Sequence, residues 1–474
     1  MKTLSKIGDI SRFVVVLALG WAVSGCGTMN PEKTRARHAE GYREDLLAET
    51  THVLEHYTNR LSMADCLALA RERSLSLTVS RLEERLARIN RQTAFSAFLP
   101  QVEYEFQSVN LSKPPEKAIS GGVVQMQDQN VREGALRIVQ PVFTPNAWLM
   151  YVSARRGADI QKLARQRAEQ LLDLQVVNLF YQYTTLADRV ESTRRGLESA
   201  AELQKESAAL FREGYLLEAD LRKVDTLQAS RAQQLSALER QLGLAKSRLL
   251  EALNLWPLAD VTFDTESLAK AVAEPDVAGR GVEECIYTAL TNRLELFAGD
   301  RGIELRKNEI LRSIALFLPN LYGFANFYTT SDSYTVNDQY WGSGLQGTMS
   351  VFAGFRNVNA YRAARANLKQ AYVEREEQSM SIMVQVIEAW KNLQDVGGQL
   401  DVARQAAEAA RLDMASAKAS YDAGTESFSS CLQATAASES AEAALRAADN
   451  AKAVALYVFN DVMGLNKEAR NENK

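Results

Sequence analysis

"PVFTPNAWLMYVSARRGADIQ" runs from Pro141 to Gln161, and "SVFAGFRNVNAYRAARANLKQ" runs from Ser350 to Gln370. In both, a Val-Phe pair closes an apolar segment, a short turn follows, and a basic, Ala-rich helix begins. A chain that makes the same strand-to-helix turn twice is built from two copies of one unit. Other matches agree. Cys66, Leu75 and Leu77 recur as Cys285, Leu294 and Leu296, an offset of 219, and "AFLPQ" at 97–101 recurs as "LFLPN" at 316–320. Val142-Phe143 recurs as Val351-Phe352 at an offset of 209. "FREGYLLEADL" from Phe211 recurs as "YDAGTESFSSCL" from Tyr421, and "EALNL" from Glu251 as "DVMGL" from Asp461, both at 210. The copies differ by ten residues in one interval, between the FLP and the Val-Phe.

That interval reads as a β-hairpin. Pro100 and Pro319 stop the preceding helices, because proline and the residue before it disfavour continued α structure. Val102, Tyr104 and Phe106 then alternate with Gln101, Glu103, Glu105 and Gln107, a period of two. "SKPPE" and "SGG" mark a loop. Leu136, Ile138 and Val142 alternate with Ala135, Arg137 and Val139 on the return. In the second copy Tyr322, Phe324 and Tyr328 form the apolar set before the loop "TTSDSYTVND", and Trp341, Leu345, Met349 and Val351 form it after. Strands of about ten residues with one apolar and one polar face suit a membrane barrel, and a small soluble sheet is the bland alternative. Four strands do not close a transmembrane barrel, whose minimum is about eight, so several protomers must share one.

The helical segments are long. Residues 145–213 and 354–423 contain no internal proline after the first position, and each makes a helix of roughly 100 Å at 1.5 Å per residue. Their apolar positions keep a 4,3,4,3 spacing, which is coiled-coil packing. In copy one these are Leu172, Val176, Leu179, Tyr183, Leu186, Val190, Thr193, Leu197 and Ala200. In copy two they are Ile382, Val386, Ala389, Leu393, Val396, Leu400, Ala403, Ala407, Ala410, Met414, Ala417 and Tyr421. Gly214 and Gly424 break the helices and turn the chain back. The returning helices, 217–255 and 428–465, and the leading helix, 61–99, are about half as long. Each copy is therefore one long helix beside two stacked short ones, attached to a two-stranded hairpin.

The N-terminus points to export. Lys2, Lys6 and Arg12 precede the apolar run Phe13–Trp21, and small residues lead to Cys26. This resembles the lipobox of bacterial lipoproteins, with Cys26 as the lipidated first mature residue. Gly27 after it is compatible with outer-membrane sorting. Removing the leader, net +2, takes the formal charge from −4 to −6, which argues against nucleic-acid binding. Three cysteines then remain, Cys66, Cys285 and Cys431, an odd set that makes no disulfide framework.

The helix-FLP-hairpin-VF-helix unit, "SVFAGFRNVNAYRAARANLKQA" and the glycine turns resemble the TolC-like outer membrane factor family, in its lipoprotein branch. The resemblance covers nearly everything from Leu61 to Leu465. It implies a mainly α fold with β: a homotrimer with a twelve-stranded transmembrane β-barrel and a twelve-helix periplasmic α-barrel. It implies an outer membrane exit duct of a tripartite efflux system, with a periplasmic adaptor (membrane fusion protein) and an inner-membrane pump as partners. The expected domains are a signal peptide at 1–25, a lipid-anchored segment at 26–60 and a first repeat at 61–255 with its hairpin at about 101–143. An equatorial linker at 256–281, a second repeat at 282–465 with its hairpin at about 320–352, and a tail at 466–474 follow.

No catalytic constellation is present, and no cofactor is expected beyond lipid on Cys26. His38, His52 and His56 lack the third and fourth ligands that a stable metal site wants. Cys66 and Cys285 hold equivalent repeat positions among apolar neighbours, which suits small buried residues better than a disulfide. The resemblance places Gly214 and Gly424 at the periplasmic tips, where adaptors dock and the tube constricts. Relatives carry acidic residues just beyond the second glycine; this chain has Ser430 and Gln433 there. Copy one has Glu218, Asp220 and Asp225 beside Arg222 and Lys223. These acids are either part of a gate or ordinary helix-start residues. Rival functions are a duct for type I protein secretion and a lipid-anchored coiled-coil scaffold without a pore.

Overall fold

The computed structural model describes residues 31–57, 60–265 and 281–465. Cys26 and the leader, residues 266–280 of the linker and the tail at 466–474 lie outside the described residues.

The chain opens with α1 (Pro31–His56) and β1 (Arg60–Leu61). The first copy follows: α2 (Met63–Arg73), α3 (Leu75–Ser96), β2 (Gln101–Asn110), β3 (Glu116–Ile119), β4 (Gly122–Gln125), β5 (Asn130–Phe143), α4 (Pro145–Arg212) and α5 (Glu218–Ala252). After β6 (Thr262–Phe263) comes the second: α6 (Val282–Asn292), α7 (Leu294–Ala315), β7 (Asn320–Thr330), β8 (Gln339–Thr348), α8 (Arg356–Asp422) and α9 (Phe428–Val462). The ten-residue difference between the copies is the small β3–β4 hairpin, inserted in the first loop only.

The leading helix of each copy is broken, contrary to the expectation of one 39-residue helix. Ser74 is extended (φ −57°, ψ 125°), and its hydroxyl accepts from the Leu77 amide to start α3. Arg293 takes the same backbone shape (φ −67°, ψ 127°) without a side-chain cap. α2 itself begins with a capping box, in which Ser62 and Asp65 exchange side-chain and backbone bonds.

The long helices run as the heptads require. None of the nine apolar positions in α4 is exposed, and of the twelve in α8 only Tyr421, at the tip, is. Four left-handed C-caps end the helices: Gly214 (φ 82°), Asn254 (φ 52°), Gly424 (φ 72°) and Gly464 (φ 70°). Each is followed by an amide that bonds five residues back, such as Tyr215 to the Leu210 carbonyl at 2.9 Å, which satisfies the last carbonyls of the helix. The start of α8 departs from expectation. It begins at Arg356, after Gly354 and Phe355 both adopt positive φ (58° and 63°). In copy one, by contrast, β5 feeds α4 directly through Pro145 at its first turn.

The core lies at mid-height and is doubled. One cluster joins Cys66, Ala70, Leu77, Leu172, Val176, Leu249 and Leu253. The other joins Cys285, Ala289, Leu296, Ile382, Val386, Phe459 and Met463, the same seven positions one repeat later. α1 and the linker wrap the first cluster. Val53 is buried in it, Thr50 accepts from the Trp256 amide at 2.9 Å, and β1 pairs in parallel with β6.

The strands form one antiparallel sheet in the order β2-β5-β7-β8. Residues directly opposite each other share a face. One face carries Val102, Tyr104, Phe106, Leu136, Ile138, Leu321, Phe327, Trp341 and Leu345. The other carries Gln101, Glu103, Glu105, Gln107, Glu133, Arg137, Asn326 and Gln346. Two expectations are corrected. Tyr322, Phe324 and Tyr328 lie on the polar face, because β7 pairs with β5 so that Phe324 opposes Val139 and Tyr328 opposes Ala135. Met349 and Val351 lie beyond β8, which ends at Thr348, and a register shift between Pro141 and Phe143 takes Val142 out of the alternation.

Candidate functional site

The described helices of the protomer form an open row rather than a closed bundle. Above mid-height its helices lie in the order α3, α4, α7, α8; below it the order is α5, α4, α9, α8. α4 is the shared centre, in contact with both copies. The sheet continues the row upward. Every layer therefore ends in two free edges, with β2, α3 and α5 on one side and β8 and α8 on the other.

The edges carry unpartnered surface. All ten residues of β8 are exposed. On α3, Leu75, Val79, Leu82, Leu86 and Ile89 repeat at 4,3,4,3 and are 44–59% exposed. That is a coiled-coil seam with nothing among the described residues to fill it. α8 offers Val373, Met380 and Val384, also exposed. No described helix is long and apolar enough to cross a membrane.

The tips hold the residues singled out in the sequence. Gly214 and Gly424 have positive φ and open space around them. Glu218, exposed, and Asp220, half-buried, lie in the first turn of α5 and pair with Arg222 (3.1 Å) and Lys223 (2.9 Å). Asp225 accepts from Gln204 of α4 at 3.1 Å. Ser430 donates its amide to the Ser427 hydroxyl at 3.1 Å as part of the α9 cap, and Gln433 is exposed. All three acids are thus neutralised or bonded locally within the protomer. Cys66 and Cys285 form no disulfide and are buried in different clusters, and burial pushes the Cys66 thiol up. Among the described residues no group of three metal-ligating side chains converges.

Sequence reasoning missed an ionic clamp at mid-height. Arg167 of α4 holds Asp461 of α9 in a bidentate pair (2.7 and 3.0 Å) and Glu295 of α7 at 2.7 Å. Arg293 holds the same Glu295 at 2.8 Å and donates to the Val462 carbonyl at 3.2 Å. Burial works against the Arg167 charge, but Asp461 and Glu295 outweigh it and hold the guanidinium above its ordinary range. Below the clamp the α4–α9 contact is looser: Arg446 meets Asp188 at 3.4 Å, and Ser192 donates to the Glu439 carbonyl at 3.3 Å. Burial, together with Glu442 and Glu198, raises the Glu439 carboxyl against the opposing pull of Arg195. One Glu439 oxygen is buried without a hydrogen-bond partner among the described residues.

Residues 285–460 match the family model described as outer membrane efflux protein. No curated protein matches the sequence. Solved structures share the fold over most of the chain. The CmeC outer membrane channel of Campylobacter jejuni superimposes with a TM-score of 0.71 at 16% identity, covering 85% of each chain. The outer membrane protein VceC of Vibrio cholerae gives 0.68 at 14%, covering 85% of this chain and 96% of that one. The open-state MtrE outer membrane channel of Neisseria gonorrhoeae gives 0.64 at 16%, covering 85% and 89%.

Proposed function

We infer that the chain is a member of the outer membrane efflux protein family and forms one third of a trimeric duct that carries small molecules from the periplasm to the outside. The observation that carries this is the sheet: four strands, one apolar and one polar face, and two open edges. Three copies bring twelve strands, enough to close a barrel with lipid outside and water inside. A coiled-coil scaffold has no use for such a sheet. The free α3 stripe and the exposed α8 face continue the same two edges into the periplasm, so one ring closure covers both.

In this reading Cys26 carries lipid that anchors the belt end of the chain, and outer membrane lipid surrounds the barrel. The glycine tips face an adaptor joined to an inner-membrane pump, so the protein is a passive path with no reaction of its own. Ser430 and Gln433 line a constriction with little negative charge. Native mass spectrometry of the detergent-extracted protein should give a trimer, and planar bilayers should conduct only with that species. A conducting monomer overturns the reading.

A further inference from the structure

The water-facing side of a barrel wall needs only polar side chains. Here it also holds four aromatic rings, Tyr322, Phe324, Tyr328 and Tyr340, all from the second copy. The charges on that face come from the first copy: Glu103 and Glu105 on β2, Glu133 and Arg137 on β5. Three carboxylates and one guanidinium make −2 per protomer, hence −6 around three. The two sets are interleaved. Glu105, Tyr328 and Tyr340 share one rung across the sheet, and the two tyrosine rings stand 5.2 Å apart, tilted by 36°. Phe324 lies over Gly344, where a Cβ would come within 2.9 Å of the ring, so the missing side chain leaves room for an aromatic flat against the wall. Because β2 and β8 are the edges, ring closure brings β2 of one protomer, which carries Glu103 and Glu105, against β8 of the next, which carries Tyr340.

We propose that this stretch of the duct selects cations, and organic cations with flat apolar parts over compact ones. The inference rests on the duct reading and names its substrate class. Carboxylates lining a lumen with low-dielectric walls concentrate counter-ions. An aromatic face attracts a cation through its quadrupole and also packs against an apolar body, so carboxylate and ring together favour a ligand carrying both. Neither feature alone does this. With a tip that offers Ser430 and Gln433, the barrel lumen is where the charge preference is set.

The test is single-channel recording of the purified trimer in planar bilayers. Under a KCl gradient the wild type should pass K⁺ over Cl⁻ by about fivefold, and Glu103→Gln/Glu105→Gln/Glu133→Gln should bring the ratio to about one. Tetraphenylphosphonium should interrupt the current several times longer than tetraethylammonium. Tyr328→Leu/Tyr340→Leu should remove that difference and keep the K⁺ preference. If the triple variant does not assemble, the single Gln variants should each lower the ratio in part. A conducting wild type without ion preference, a ratio insensitive to the carboxylates, or equal interruption by the two probes overturns this inference alone. A wild-type trimer that does not conduct overturns the duct reading and this inference with it.

Discussion

Arg167→Met should loosen the end of α9 selectively. Arg167 and Asp461 are 294 positions apart, and their side chains are 15% and 3% exposed. Removing the guanidinium leaves Asp461 buried with no other cation against it among the described residues. Breaking such a pair from one side costs about 3–5 kcal/mol; with Arg167 not wholly buried, the lower end applies, about 3 kcal/mol. At 1.36 kcal/mol per factor of ten, amide protection in the last turns of α9, around Phe459 to Leu465, should fall by roughly 100-fold. Hydrogen exchange read by mass spectrometry measures this. The matching turns of α5, Leu249 to Leu255, lack the clamp and serve as the internal control. Asp461→Asn should cost less, because Arg167 keeps Glu295 at 2.7 Å. Arg167→Met/Asp461→Leu should recover most of the loss, since apolar side chains leave no charge uncompensated. A change below about threefold in Arg167→Met, or additive losses in the double variant, would refute the clamp as the element that pins α9.

Glu439 should make the α4–α9 contact sensitive to acid. Its folded pKa is raised above 4.5, so the folded state binds the proton more tightly, and stability is gained as pH falls from the raised value toward 4.5 and lost as pH rises through it. Glu439→Gln should protect α9 amides at neutral pH and flatten that dependence; an unchanged pH profile counts against it. Gly464→Ala should lower the thermal midpoint more than Gly424→Ala. Both have positive φ, worth about 1 kcal/mol, but a Cβ at 464 would also lie 2.9 Å from the Asn292 backbone, and one at 424 meets nothing. Cys26→Ser should yield protein without the acyl mass on its N-terminal peptide; an unmodified N-terminus other than Cys26 in the wild type would remove the anchor.

The tip glycines, the repeat, the heptads and the β2 alternation could be read from the chain because each is a local pattern: a period, or a backbone conformation that glycine tolerates at low cost. The arrangement of long helices attached to hairpins followed from those patterns with the resemblance they carry. Where a property depended on what lies opposite, the sequence misled or said nothing. Tyr322, Phe324 and Tyr328 at even spacing read as part of an apolar face, yet pairing with β5 set them on the polar one, since a strand's face is defined only by its neighbour's register. The break at Ser74 was hidden within a continuous apolar periodicity, and Arg293 gave no capping signal at all. Nothing in the sequence marks Arg167, Glu295 and Asp461 as a set. Only the packing of α4 between α7 and α9 took them out of water together, and charges at such distances along the chain meet through tertiary structure alone.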